Sequence, residues 1–311
     1  MATPLSIRVQ ADPARVEDWG MFARRIEHLG FEGLSVADHP GSGSAPFVAL
    51  AAAAAVTERI DLTTYVANAG LWDPIALASS VATLDVVSGG RAVLGVGAGH
   101  TPAEWLGQGV DYPSPGARVD RMIEATDATR QLLAGDEVTL AGVHVTLQQA
   151  RLDAPRPVQR PVPLLVGGSG RRVLAYAAEQ ADVVALAGLG RTLPDGHRHE
   201  VRWQPAQIDD TIEHVRTIAR AGGRTPPMEA LVQHVEITGE PEAAAARLCE
   251  QVPDLTVEDA LAAPFVWIGT ADEIASRLDA HRGRWGITRY VVRADAVDAA
   301  TEVRERFVAR R

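Results

Sequence analysis

The sequence predicts a closed (β/α)8 barrel of the TIM type, and three observations carry that expectation. Short apolar strand-like runs alternate with helix-like segments along the chain, an order that requires parallel strands joined by right-handed crossovers. At least eight such units can be counted in 311 residues, enough for an eight-fold barrel of about 250 residues with insertions. Polar and glycine-rich residues also collect at the carboxyl ends of the strand-like runs, where α/β proteins bind ligands. An open doubly wound sheet is the alternative, and eight or more units favour closure.

Leu5–Val9 reads as a strand and Pro13–Leu29 as an amphipathic helix stopped by Gly30. Strand 33–37, helix 46–57, strand 60–66 and helix 74–87 follow in the same rhythm. Ser88-Gly89-Gly90-Arg91 then breaks the helix, because glycine takes backbone angles closed to other residues. Ala92–Val96 is a nearly all-apolar strand of the kind buried on both faces of a parallel sheet. It exits through Gly95, Gly97 and Gly99, an alternation that implies backbone packed close against something. After a long helix over 115–134, residues 138–149 alternate as a hairpin would, with its turn at Ala141-Gly142. Strand 163–166, helix 171–180 and strand 182–187 resume the pattern, and an irregular stretch, 188–203, interrupts it again. Helix 206–221, strand 229–235, helix 241–251, strand 265–268, helix 271–284, strand 287–293 and helix 295–308 complete the chain. Insertions are therefore expected after strands 4 and 6. With no break in composition to mark a linker, residues 1–311 read as a single barrel domain.

Composition narrows the function. Hydrophobic content of 46% and charged content of 23% are those of a globular chain. A formal charge of −10 argues against a nucleic-acid partner. No apolar run reaches the roughly 18 residues of a membrane-spanning helix, and the start, MATPLSIRVQ, lacks the pattern of a secretion signal. The lone Cys249 excludes an internal disulfide and fits a reducing cytoplasm.

The candidate site residues leave the strands. Asp38-His39 follows the second strand, Ala67-Asn68 the third, Gly97-Ala98-Gly99-His100 the fourth and Gly167-Gly168-Ser169-Gly170 the fifth. Gly167–Gly170 opens a helix, so successive amides, the helix dipole and the Ser169 hydroxyl would make a phosphate cradle. It is not a dinucleotide fingerprint, and neither is the Gly-x-Gly-x-Gly at 95–99, whose spacing is wrong. A histidine beside a carboxylate at a barrel strand's end suits proton transfer near neutral pH, which makes His39 the candidate catalytic base. His100 shares that argument more weakly, with Glu104 one helical turn on to orient it or to face solvent. Trp72 and Trp105 stand beside glycine-rich exits and are candidates to line a pocket. His197-Arg198-His199 has no accompanying carboxylate or cysteine cluster, so no metal is expected. The absence of Gly-x-Ser-x-Gly, and of a base near Cys249, leaves covalent hydrolysis without support.

Three stretches, GFEGLSVADH at 30–39, DPIALASSVATLDVVSGGRAVLGVGAG at 73–99 and PLLVGGSGRRVLAYAAEQAD at 163–182, resemble the bacterial luciferase-like monooxygenase superfamily. Within it they are most similar to the branch of oxidoreductases that use the deazaflavin coenzyme F420. The resemblance implies a barrel with cofactor at the carboxyl ends of the strands, its phosphate held by the amides of Gly167, Gly168, Ser169 and Gly170. It also implies a bulge at the end of the third strand, often with a non-proline cis peptide, around Tyr65, Val66 and Ala67. That bulge would back the cofactor ring, with Asp38, Asn68, Gly97, Gly99 and His100 completing the cofactor site. Asp38-His39 matches the Asp-His pair of the F420-dependent glucose-6-phosphate dehydrogenases, in which the histidine is the catalytic base. Those enzymes carry a glutamate directly after the Gly-x-Gly and a tryptophan shortly after Asp-His, where this chain has His100 and Gly41-Ser42-Gly43-Ser44. The substrate is thus a small molecule whose class stays open. An FMN-dependent monooxygenase is the alternative, since FMN would set its phosphate on the same glycines, and a catalytically inactive barrel is a third reading. All 30 basic residues are arginine and alanine is abundant, a high-GC composition that leans the expectation to F420. The resemblance further implies a homodimer.

Overall fold

The structure is a computed structural model that describes residues 5–192 and 199–310. Eight strands form the barrel: β1 (Ser6–Gln10), β2 (Gly33–Val36), β3 (Asp61–Thr64), β4 (Ala92–Gly97), β5 (Leu164–Gly167), β6 (Val183–Leu186), β7 (Met228–Leu231) and β8 (Ile287–Arg293). Their order around the sheet is β3-β2-β1-β8-β7-β6-β5-β4, and β4 pairs back to β3 to close it. Every residue of β2, β6 and β7 is buried, as strands covered on both faces must be. The outer helices are α1 (Trp19–His28), α2 (Pro46–Ala54), α3 (Pro74–Ser88), α4 (Pro115–Ala134), α5 (Arg171–Gln180), α6 (Pro205–Ala221), α7 (Ala271–Trp285) and α8 (Val297–Ala309).

The described residues fall into two compact units, one of 10–168 and 180–182, the other of 5–9, 169–179 and 183–310. In the first, α3 shows how local chemistry sets an element's ends. Asp73 accepts from the amides of Ile75 and Ala76, Pro74 takes the first helical position, and Gly89 ends the helix in the left-handed region at φ +71°. Beyond that turn the Arg91 guanidinium donates to the carbonyls of Ala54, Thr57, Ile60 and Ser88. Asp85, fully buried, accepts from the backbone amide and the side chain of Gln159. The Ser-Gly-Gly-Arg motif is thus a latch at the amino-terminal end of β4. In the second unit a capping box at Thr270 and Glu273 starts α7, and Gly286 stops it.

Several expectations are corrected. The first helix does not begin at Pro13: a 3-10 turn over Pro13–Arg15 is capped by Asp12, and α1 starts afresh at Trp19 with Asp18 as its cap. The hairpin expected over 138–149 is present as an antiparallel pair, Val138–Ala141 with Thr146–Ala150, but its turn runs over 142–145 and Ala141 still belongs to the strand. The stretch after strand 6 is not wholly irregular, because Leu189–Thr192 pairs antiparallel with His199–Val201. A third insertion, unforeseen, follows β7. Val266–Gly269, read from sequence as one more strand in the series, pairs in parallel with His234–Ile237 in a separate two-stranded sheet.

Candidate active site

Past Thr64 the chain leaves β3 through a cis peptide between Tyr65 and Val66, where the bulge is expected. The amide of Tyr65 donates to the Val36 carbonyl at 2.8 Å, and Gln10 Nε2 donates to the Tyr65 carbonyl at 2.9 Å. Ala67 and Asn68 then rejoin the sheet opposite Val96 and Gly97. The alternating glycines of β4 have their reason in this segment. A Cβ on Gly95 would stand 1.8 Å from the Thr64 carbonyl oxygen, and one on Gly97 would stand 2.7 Å from Val66 Cγ2. Gly99, at φ +67°, lies against the Asn68 carboxamide, with 2.3 Å to Nδ2 for a Cβ placed there.

Two acids, Asp38 and Glu104, bond Asn68, and each is held by a further side chain. The Asn68 amide donates to Asp38 Oδ2 at 3.2 Å, and its Nδ2 donates to Glu104 Oε2 at 3.2 Å. Trp72 Nε1 donates to the same Asp38 oxygen at 2.7 Å. His39 Nδ1 bonds Glu104 Oε1 at 2.7 Å, with the His39 side chain 42% exposed and Glu104 4%. Burial works to raise the pKa of Glu104, but the hydrogen bond from His39, the His39 charge and the Asn68 bond outweigh it and hold the group below its ordinary value. Glu104 is therefore an acceptor only, so Nδ1 of His39 carries the proton and Nε2 is the basic nitrogen. Asp38 goes the other way: burial raises it, with Glu104 adding to the rise, and the bonds from Trp72 and Asn68 offset only part.

Sequence spacing offers Glu104 either His100 or solvent, and in the structure it takes neither. Glu104 sits on a short helix, Pro102–Leu106, and turns inward to His39. His100 is exposed, with its ring 5.8 Å from that of His39 in a T-shaped arrangement. Spacing along one segment could not reveal a partner 65 residues away. Trp72, a candidate pocket residue, is the anchor of Asp38 and packs edge-on against Phe47. Trp105 is fully buried, with its ring edge beneath Gly70. Arg118 and Tyr112, which no motif in the sequence marks, close the loop after β4: Arg118 Nε donates to the Gly99 carbonyl and the Tyr112 hydroxyl to that of His100.

Gly167 ends β5, and Gly168, Ser169 and Gly170 lead directly into α5, whose first turn closes with Leu174 donating to the Gly170 carbonyl at 3.0 Å. A Cβ on Gly170 would meet nothing within 4 Å. Open space beside Gly170, before a helix's first amides, fits the phosphate of a cofactor. Within residues 10–168, the buried Asn68 Oδ1 has no partner among the described residues. The residues present therefore fit a phosphate-bearing cofactor. His197 and Arg198 lie outside the described residues, and among the described ones no group of three histidine, cysteine or acidic side chains could hold a metal. No described helix is long and apolar enough to cross a membrane.

A barrel closed by eight parallel strands is a fold this chain shares with known proteins. The luciferase-like monooxygenase family model matches residues 3–254, and the chain belongs to that family. Among solved structures it is similar to the coenzyme F420-dependent tetrahydromethanopterin reductase from Methanopyrus kandleri, at 21% identity and TM-score 0.78 over 99% of each chain. An F420-dependent secondary alcohol dehydrogenase in complex with an F420-acetone adduct matches at 20% identity and TM-score 0.78, over 99% of this chain and 100% of that one. Monooxygenase RslO1 from Streptomyces bottropensis matches at 22% and 0.73 over 98% of each. At such identities the likeness is one of fold.

Proposed function

We propose that this chain is a coenzyme F420-dependent oxidoreductase acting on a small organic substrate. The deazaflavin, when bound, supplies the two-electron chemistry by exchanging a hydride at its C5 with the substrate. His39 moves the accompanying proton through Nε2, because Glu104 occupies its Nδ1 and steadies the cationic form. That dyad is the observation that carries the reading. Asn68 and Asp38 hold the dyad's surroundings rigid, and Tyr65, Val66 and Ala67, with Gly97, Gly99 and His100, would frame the ring. Gly167, Gly168, Ser169 and Gly170 would hold the cofactor phosphate through their amides and the serine hydroxyl.

Two of the similar structures are named as F420-dependent, which supports the cofactor assignment. An FMN-dependent monooxygenase is the second reading, favoured by the RslO1 likeness at nearly the same score. An inactive barrel is disfavoured because the proton-transfer dyad is intact. A cytoplasmic homodimer belongs to the same proposal, on the family resemblance and the single cysteine.

The test is F420 reduction by a panel of small alcohols with and without a carboxylate or phosphate group, and reoxidation of reduced F420 by the matching carbonyl compounds, followed by deazaflavin absorbance. His39→Asn lowers turnover about 100-fold or more with F420 affinity retained, the scale of a lost general base. Turnover unchanged in that variant removes His39 from the mechanism.

A further inference from the structure

Arg118 lies in the first turn of α4, and its guanidinium is half-buried between main-chain carbonyls and a ring. Nε donates to the Gly99 carbonyl at 2.9 Å, Nη1 donates to the Pro113 carbonyl at 2.7 Å, and the group's centre stands 4.3 Å over the Tyr112 ring. Its remaining nitrogen, Nη2, makes no hydrogen bond to any described residue, and no described carboxylate forms an ion pair with it. Burial lowers its pKa, yet an arginine keeps its charge at any working pH. The two acids of the site are already taken. Glu104 is held by His39 and Asn68, and Asp38 by Asn68 and Trp72. A half-buried cation with carbonyls as its only hydrogen-bond acceptors gains from an anion, and Arg presents paired donors suited to a carboxylate or phosphate.

Position ties that anion to the reacting end of the site. Arg118 holds the carbonyl of Gly99, the next residue is His100, and the His100 ring lies 5.8 Å from that of His39. The Tyr112 hydroxyl fastens the His100 carbonyl at 2.9 Å, so the cation and the His100 ring are braced together on the segment after β4, beside the base. We propose that Arg118 receives the anionic group of the substrate, which makes the substrate a small organic carboxylate or phosphate ester rather than a neutral alcohol or an alkane. This rests on the oxidoreductase reading of the same site and adds the substrate class to it.

Acetate and inorganic phosphate at constant ionic strength are the probes, with the imidazole resonances of His39 and His100 followed by NMR in the full chain saturated with F420. The expected result is a saturable shift of both histidines by an anion and none by ethanol or acetone. Arg118→Gln should weaken the anion's apparent Kd about 10-fold or more with F420 affinity unchanged, and Arg151→Gln, on the exposed hairpin, should leave it unaltered. Should Arg118→Gln fail to fold, Arg118→Lys keeps the charge but not the fork, and a weakening of about 3-fold or more is expected. No saturable shift, or equal anion affinity in the folded variant, overturns the proposal. In the cofactor-free chain, a shift that survives in Arg118→Gln but vanishes in Gly170→Trp assigns the anion to the cofactor cradle instead and likewise overturns it. The cofactor assignment fails separately: if F420 does not bind, the same titration of the cofactor-free chain still reads the Arg118 site.

Discussion

His39 and Glu104 meet across 65 residues of chain through a 2.7 Å hydrogen bond, one side chain partly open to solvent and the other sealed. Because the carboxylate can only accept, the bond selects the imidazole tautomer with its proton on Nδ1. Glu104→Gln keeps an oxygen acceptor and removes the charge, and the bond weakens from charge-assisted to neutral, about 1 kcal/mol or roughly 5-fold in proton-transfer rate. Glu104→Ala also strips Asn68 Nδ2 of its acceptor. Imidazole 15N shifts check this: one tautomer in the parent chain, and a mixture in Glu104→Ala.

Gly95 and Gly170 answer differently to the same substitution. Gly95→Ala sets a methyl 1.8 Å from the Thr64 carbonyl oxygen, a backbone atom that cannot yield without breaking the β3–β4 pairing. Its expected cost is about 3 kcal/mol or more, seen as insoluble protein or a collapsed melting temperature. Gly170→Ala meets open space and should melt within a degree or two of the parent.

Asp85 and Gln159 make a third prediction. Asp85→Ala leaves the backbone amide and the side-chain amide of Gln159 without their carboxylate acceptor beneath a closed turn. A loss of about 2–3 kcal/mol is expected in urea unfolding, with the midpoint lowered and the slope unchanged.

His281 sets a pH limit on stability. It is buried against Tyr290, Trp285 and the Ala262 carbonyl, and burial pushes its pKa from 6.5 down to about 4, with the carbonyl bond opposing that fall. Arg277 adds to the lowering. The unfolded chain then binds a proton that the folded chain refuses, so stability is full above about 6.5 and drains as pH falls toward 4. The loss amounts to about 3 kcal/mol for this group. His281→Phe should lower the melting temperature at pH 7 and flatten its slope between pH 6.5 and 4.5.

The barrel was legible in the sequence because strands buried on both faces are written as apolar runs, and caps such as Asp73-Pro74 and stops such as Gly89 mark the helices between them. What pairs with what is not written there. Val266–Gly269 has the burial of a barrel strand and pairs outside the barrel, since burial does not name a partner. Pro13 looked like a helix start, yet Asp12 and Asp18 each cap a separate segment. The strand exits at 38–39, 67–68, 97–100 and 167–170 could be found from glycine and polar clustering. Glu104's reach to His39 could not, because it depends on how the short helix over 102–106 turns, and a four-residue spacing pointed to His100 instead. The glycines at 95, 97 and 99 signalled close approach correctly, and the approach is to the protein's own third strand and Asn68.

Titrating the purified apoprotein with F420 and, separately, with FMN, in the parent chain and in Gly170→Trp, separates the two cofactor readings through the cofactor's fluorescence. F420 should bind at about micromolar Kd or tighter and FMN about ten-fold or more weakly, and Gly170→Trp should lose F420 binding at an unchanged melting temperature. Tight FMN binding with F420 ignored would contradict the F420 reading and assign the barrel to the monooxygenase reading.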